Sequence, residues 1–197
     1  IGESIREDGP RSHSKKKGTP TMGGILILLS VSISTLIWSD LTNSYIITIL
    51  ISMLLFGLIG LIDDLIKLKG NKNGLHASIK FFMQIGVAYG AISYLFYGSV
   101  EPITTDLLIP FTNNVRIDLG WVFLPFAIFV IVGSSNAVNL TDGLDGLAIM
   151  PVVMISIALG IFAYVTGNIN FSSYLDLPFL REAGEVFVIC CAISGAG

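Results

Sequence analysis

The sequence has 197 residues, of which 53% are hydrophobic and 13% charged, and a net charge of −3; its mean hydropathy is +0.80. An average soluble domain carries roughly 25% charged residues, so a soluble globule, a disordered chain and a disulfide-stapled secreted domain are excluded, and no basic excess points to nucleic acid. An integral membrane protein remains, whose natural unit is an apolar span of about 20 residues.

In chain order, six apolar runs stand out: Ile25–Trp38, Tyr45–Ile62, Phe81–Tyr97, Trp121–Gly133, Leu147–Val165 and Val186–Gly197. None contains Asp, Glu, Lys or Arg. The first and fourth reach spanning length with the uncharged stretches Thr21–Gly24 and Ser134–Ala137. The predicted architecture is all-α: one transmembrane helical bundle over residues 1–197, with about six spans. The last run stops with the chain, and Ile1 opens in mid-loop without an initiator Met or signal peptide. The chain is therefore expected to be a fragment, cut at both ends.

If each run crosses once, loops 1–24, 63–80 and 134–146 share one side. Loops 39–44, 98–120 and 166–185 share the other. Of the eleven Lys and Arg residues only Arg116 and Arg181 fall on the second side, whereas the acids divide evenly. The positive-inside rule places the first side in the cytoplasm and the second on the far side of the membrane. Within loop 98–120, two short runs around Thr112-Asn113-Asn114 suggest a small hairpin. Trp38, Tyr45, Tyr97 and Trp121 form the expected aromatic belt on that side. Cys190 and Cys191 are adjacent in an apolar run and read as small packing residues.

Chemistry gathers on the cytoplasmic side, in three segments. Before the first run comes His13-Ser14-Lys15-Lys16-Lys17-Gly18-Thr19-Pro20-Thr21-Met22-Gly23-Gly24. Its lysines either anchor the loop to anionic lipid or, with backbone N–H groups at a helix start, hold phosphate. At the end of the second run lie Asp63 and Asp64. Neighbouring carboxylates at a helix C-terminus near a negative membrane surface repel unless a cation is close, and a divalent metal suits them. Lys67, at i+3 or i+4, shares their helical face. The third segment runs from Ser134 to Ala148. Asn136, Asn139, Asp142 and Asp145 recur there every third residue, and the Asp-Gly steps at Gly143 and Gly146 let backbone approach a ligand. A single helix cap explains one such residue, not four. The spacing is not that of an EF-hand. His13 and His76 lack a zinc partner at i+4, and Gln84 reads as a bond to a neighbouring helix. Carboxylates, a metal and lysines together suit phosphoryl transfer or pyrophosphate chemistry.

The three segments in this order resemble the phospho-N-acetylmuramoyl-pentapeptide transferase family. The resemblance rests on Ser4 to Pro10, on the run from Lys16 through Thr19-Pro20-Thr21-Met22-Gly23-Gly24, on Asp63-Asp64, and on Asn136 through Ala148. It implies transfer of phospho-MurNAc-pentapeptide from its UDP carrier to undecaprenyl phosphate, with Mg²⁺, giving lipid I and UMP. It also implies roles. Asp63 and Asp64 would deprotonate or orient the lipid phosphate or hold metal, and Asn139 would sit at the metal–pyrophosphate centre. Asp142 would be catalytic together with the Asp63-Asp64 pair, and Asp142, Gly143, Asp145 and Asn136 would bind or orient the nucleotide-sugar. Lys16, Lys67 and Lys80 would neutralise phosphate, and Thr21 would line the pocket. A homodimer is a candidate assembly. The rivals are a sister enzyme transferring GlcNAc-1-phosphate, a transporter and a membrane scaffold. A transporter predicts ionisable residues at mid-membrane, whereas here they stay in loops and span ends. A scaffold leaves the Asn/Asp segment unexplained.

Overall fold

The computed structural model describes residues 23–68, 74–99, 103–109, 116–141 and 147–197. Three long helices come first: α1 (Gly23–Trp38), α2 (Ser44–Leu68) and α3 (Ala77–Tyr97). A hairpin of β1 (Asp106–Leu108) and β2 (Arg116–Asp118) follows, then a 3-10 turn and α4 (Phe123–Thr141). The chain continues through α5 (Ile149–Thr166), a short α6 (Ile169–Tyr174), a second 3-10 turn (Arg181–Glu185) and α7 (Val186–Ala196).

Every predicted run is helical. Four stretches are long and apolar enough to cross a membrane: Ser44–Lys67, Ala77–Tyr97, Gly120–Thr141 and Ile149–Thr166. Helices α1, with 16 residues, and α7, with 11, are apolar but shorter. At 1.5 Å per residue they extend about 24 and 16 Å against a hydrocarbon core of about 30 Å. The protein is thus an all-α, multi-pass membrane protein. Its outward faces are strongly apolar, with Phe82, Phe129 and Met154 each about 70% exposed, as expected where lipid is the solvent.

Two boundaries differ from the hydropathy reading in a way that matters for the site. Helix α2 continues past Ile62 through Asp63, Asp64 and Lys67, and α4 continues past Gly133 through Asn136 and Asn139. Hydropathy marks where the bilayer ends; a helix ends where its backbone meets a breaker. The first glycine past the acids is Gly70, and none lies between Gly133 and Gly143. The hairpin forms as predicted but is short, pairing Asp106 with Asp118, Leu107 with Ile117 and Leu108 with Arg116. Loop 166–185 holds the unpredicted α6, capped by Asn168, whose side-chain oxygen accepts from the Asn170 and Phe171 amides.

The helices pack as a row rather than a ring. Helix α4 lies on α3, α3 on α2 and α2 on α1; α1 meets α7, and α7 packs against α5. The end of the row near the hairpin is tied by loop contacts. Asn43 donates its side-chain amide to the Glu182 carbonyl at 2.8 Å, and the Asp40 amide donates to Glu185 at 3.2 Å. Trp38, Tyr97 and Trp121, at this end, are between 77% and 91% exposed, as a membrane-interface belt requires. Tyr45 is only half-buried rather than exposed. At the opposite end the C-termini of α2 and α4 flank the N-terminus of α3 (Asp63–Lys80 and Gln84–Asn136 contacts).

Candidate active site

The acidic pair divides into two unlike carboxylates. Asp63 is 8% exposed. Its Oδ2 accepts from Lys67 Nζ at 2.8 Å and its Oδ1 from the Leu75 backbone N–H at 2.7 Å. Lys80 Nζ, entering from α3, stands 4.0 Å from the same Oδ2. A buried carboxylate is tolerated only when hydrogen-bonded and paired, and Asp63 is both. Asp64 is the open member: its side chain is 57% exposed and touches Lys67 only at 3.7 Å. Lys67 bridges the two at i+4 and i+3, the spacing expected from the helical face.

The close approach of the α2–α3 connection depends on Gly74. Its φ is +65°, in the left-handed region. A Cβ there would collide with Asp63 Oδ1 and the Lys67 side chain. Glycine alone allows the chain to turn within reach of the carboxylate and deliver the next residue's N–H to it. Neither Gly74 nor the Leu75 amide was a sequence candidate. A backbone donor carries no side-chain signal, and a lone glycine in a loop is common.

The Asn segment is helical where it is described. Asn136 and Asn139, three apart on α4, share a face as predicted. Asn136 Nδ2 donates to Gln84 Oε1 at 2.7 Å and to the Val132 carbonyl at 2.8 Å. Both amide hydrogens are therefore spent within the bundle, and what Asn136 retains is its carbonyl oxygen. Asn139 is exposed. Gln84, 4% exposed, does what the sequence suggested in bonding a neighbouring helix.

Thus the structure brings together Asp63, Asp64, Lys67 and Lys80, and, through α3, places Asn136 and Asn139 at the same end of the row. Lys16, Thr21, Asp142, Gly143 and Asp145 lie outside the described residues. Among the described residues no three His, Cys, Asp or Glu side chains converge on a metal position. The donor chemistry nevertheless fits a hard divalent cation: Asp64 is open, and each Asp63 oxygen keeps a second lone pair beyond the bond it accepts.

The glycosyl transferase family 4 model matches residues 46–191, which is about three-quarters of the chain. The phospho-N-acetylmuramoyl-pentapeptide-transferase signature 1 matches residues 16–28.

Proposed function

The chain belongs to glycosyl transferase family 4, and on that premise we propose that it moves phospho-N-acetylmuramoyl-pentapeptide from UDP to undecaprenyl phosphate. The coarser activity, transfer of a sugar phosphate to a polyprenyl phosphate in a membrane, follows from the family and the signature. The choice of the muramyl donor is carried by the signature over residues 16–28, which includes Thr19-Pro20-Thr21-Met22-Gly23-Gly24.

An oxygen of the lipid phosphate attacks the phosphorus bonded to the sugar. The phosphoanhydride bond breaks, and UMP leaves with the electron pair. The chemistry is mostly positioning and charge neutralisation. Asp64, exposed at the membrane edge, orients the lipid phosphate or takes its remaining proton. Asp63 is an anchor: committed to Lys67 and the Leu75 amide, it sets the position of both lysines. Lys67, 46% exposed, keeps N–H donors for phosphate. Mg²⁺, when bound, would offset the pyrophosphate charge, with Asp64, Asp63 and Asn139 as its donors, while Asp142 and Asp145 would bind or orient the nucleotide-sugar. Lys16 would neutralise phosphate charge and Thr21 would line the same pocket, and Gly143 would let backbone approach the nucleotide-sugar. The site faces the cytoplasm, where the nucleotide-sugar is soluble. A lipid acceptor reaching the bilayer edge meets it there.

The test is UMP release by the full-length protein in detergent with undecaprenyl phosphate and Mg²⁺. UDP-MurNAc-pentapeptide and UDP-GlcNAc are offered separately. Release from the muramyl donor alone is expected. Release from the GlcNAc donor alone would move the protein to the sister activity, and release from neither would overturn the transferase reading.

A further inference from the structure

Gln84 is a glutamine nearly two turns into a helix of spanning length, and it is 4% exposed. A buried side-chain amide in an apolar helix carries a desolvation cost that only a partner offsets. Its partner is Asn136, 52 residues away on α4, at 2.7 Å. The residue four before Gln84 is Lys80, which lies on the same face of α3 and stands 4.0 Å from Asp63 on α2. One helix face therefore holds the acidic pair with one side chain and the Asn segment with the next.

We infer that Gln84 is a positioning residue for the transfer: it fixes Asn136, and with it the rotation of α4 that presents Asn139, relative to the Asp63–Lys67–Lys80 cluster. The bond has a directional consequence. Asn136 spends both amide hydrogens on Gln84 and Val132, so the donor substrate meets its carbonyl and not its N–H groups. Without the Gln84 acceptor, the Asn136 amide is released to turn, and the last turns of α4 lose their side-chain tie to α3. Among the described residues, this is the one side chain-to-side chain hydrogen bond that joins α3 to α4.

The inference rests on the transferase reading, and the experiment separates the two. Gln84→Met keeps length and apolar packing but removes the acceptor; Gln84→Glu keeps an acceptor. In the full-length enzyme, Gln84→Met is expected to raise KM for the nucleotide-sugar roughly three- to tenfold, the range of one neutral hydrogen bond. KM for undecaprenyl phosphate should stay within about twofold. Gln84→Glu should recover most of the loss. In an Asn136→Ala background, Gln84→Met should add less than about twofold, because the bond is already gone. A Gln84→Met enzyme with wild-type constants would overturn the inference. So would losses that multiply in the double variant, or equal rises in both KM values. If Gln84→Met fails to fold, Gln84→Leu removes the same acceptor with a different apolar side chain, and the same KM split is expected of it. An inactive wild type would overturn the transferase reading itself.

Discussion

The two flanks of the helix row are held together by different means. On one flank, α5 and the residue that caps it meet α7 and the 3-10 turn before it through small residues. Gly160 lies against Cys190, Gly167 lies against Gly184, and Ser156 Oγ donates to the Cys190 carbonyl at 2.9 Å. This is the small-residue packing that brings membrane helices close. On the other flank, α2, α3 and α4 are joined by longer polar side chains, through Lys80–Asp63 and Asn136–Gln84. Their apolar surfaces leave grooves of about 590 and 390 Å³ on either side of the α2–α3 contact. The site sits on the flank held by polar bonds. Shape alone gives a tight but chemically inert seam. A polar seam costs desolvation, yet it fixes charged groups at defined distances.

Substitutions can break each side of this contrast separately. The largest structural effect is expected at Gly167. Any Cβ there would press on the Gly184 backbone and on the Ala163 carbonyl, neither of which can rotate aside. Gly167→Val should destabilise the protein by about 3 kcal/mol or more, read as a lowered Tm in detergent. Gly184→Ala, whose Cβ would sit at ordinary contact distance from Gly167, should leave Tm nearly unchanged. If both variants behaved alike, the seam would not be held by shape.

Gly74→Ala comes next. It combines a positive φ with a clash against Asp63, and a cost of about 1–3 kcal/mol is expected. Because the Leu75–Asp63 bond is lost with it, UMP release should fall as well as Tm. A variant with lowered Tm but full activity per folded molecule would show that Asp63 does not need this anchor.

Gly86 tests the open flank from the other direction. It lines the larger groove, and a Cβ there would meet nothing within 4 Å. Gly86→Ala should therefore be neutral or stabilising by up to about 1 kcal/mol, from helix propensity alone. A clear fall in Tm would mean that the groove is closed by packing.

The smallest effect concerns the hairpin. The Asp118 carboxylate accepts from the Thr105 hydroxyl and from the Gly120 amide. The Thr105 bond, and after it the Gly120 bond, hold its pKa below the ordinary carboxylate value. The folded group is the more acidic one, so its contribution is complete above the unfolded pKa near 4 and is lost as pH falls through the folded value. Trp121 emission in a Trp38→Phe background should be flat from pH 7 to 5 and change only below about 4. An Asp118→Asn variant should lose that transition.

The bundle was legible in the sequence because lipid imposes a plain rule: apolar runs free of charge became α1 to α5 and α7. Asp63, Asp64 and Lys67 were legible for the same reason, as charges on one helical face at the end of a span. What local pattern does not carry is the pairing across the row. Nothing near Gln84 indicates Asn136, and the Leu75 amide is a backbone group. Nor did the sequence separate the two aspartates. Their division into a buried anchor and an open carboxylate is set by the return of the chain at Gly74. The Asn168 cap of α6 was legible in principle, as an Asn ahead of Ile169 and Phe171, but six residues are too few for a periodic signal.

The central claim is that chemistry belongs to the polar end of α2, α3 and α4 and not to the acids at the hairpin end. The most direct measurement compares Mg²⁺-dependent UMP release by wild type, Asp64→Asn and Asp40→Asn under one set of conditions. Asp40 is an equally plain surface carboxylate, at the other end of the row, with its own bonds to Thr42. The account predicts a loss of roughly 100-fold or more for Asp64→Asn, with Tm unchanged, and near wild-type release for Asp40→Asn. Retention of more than about a tenth of the rate in Asp64→Asn, or an equal loss in Asp40→Asn, would contradict it.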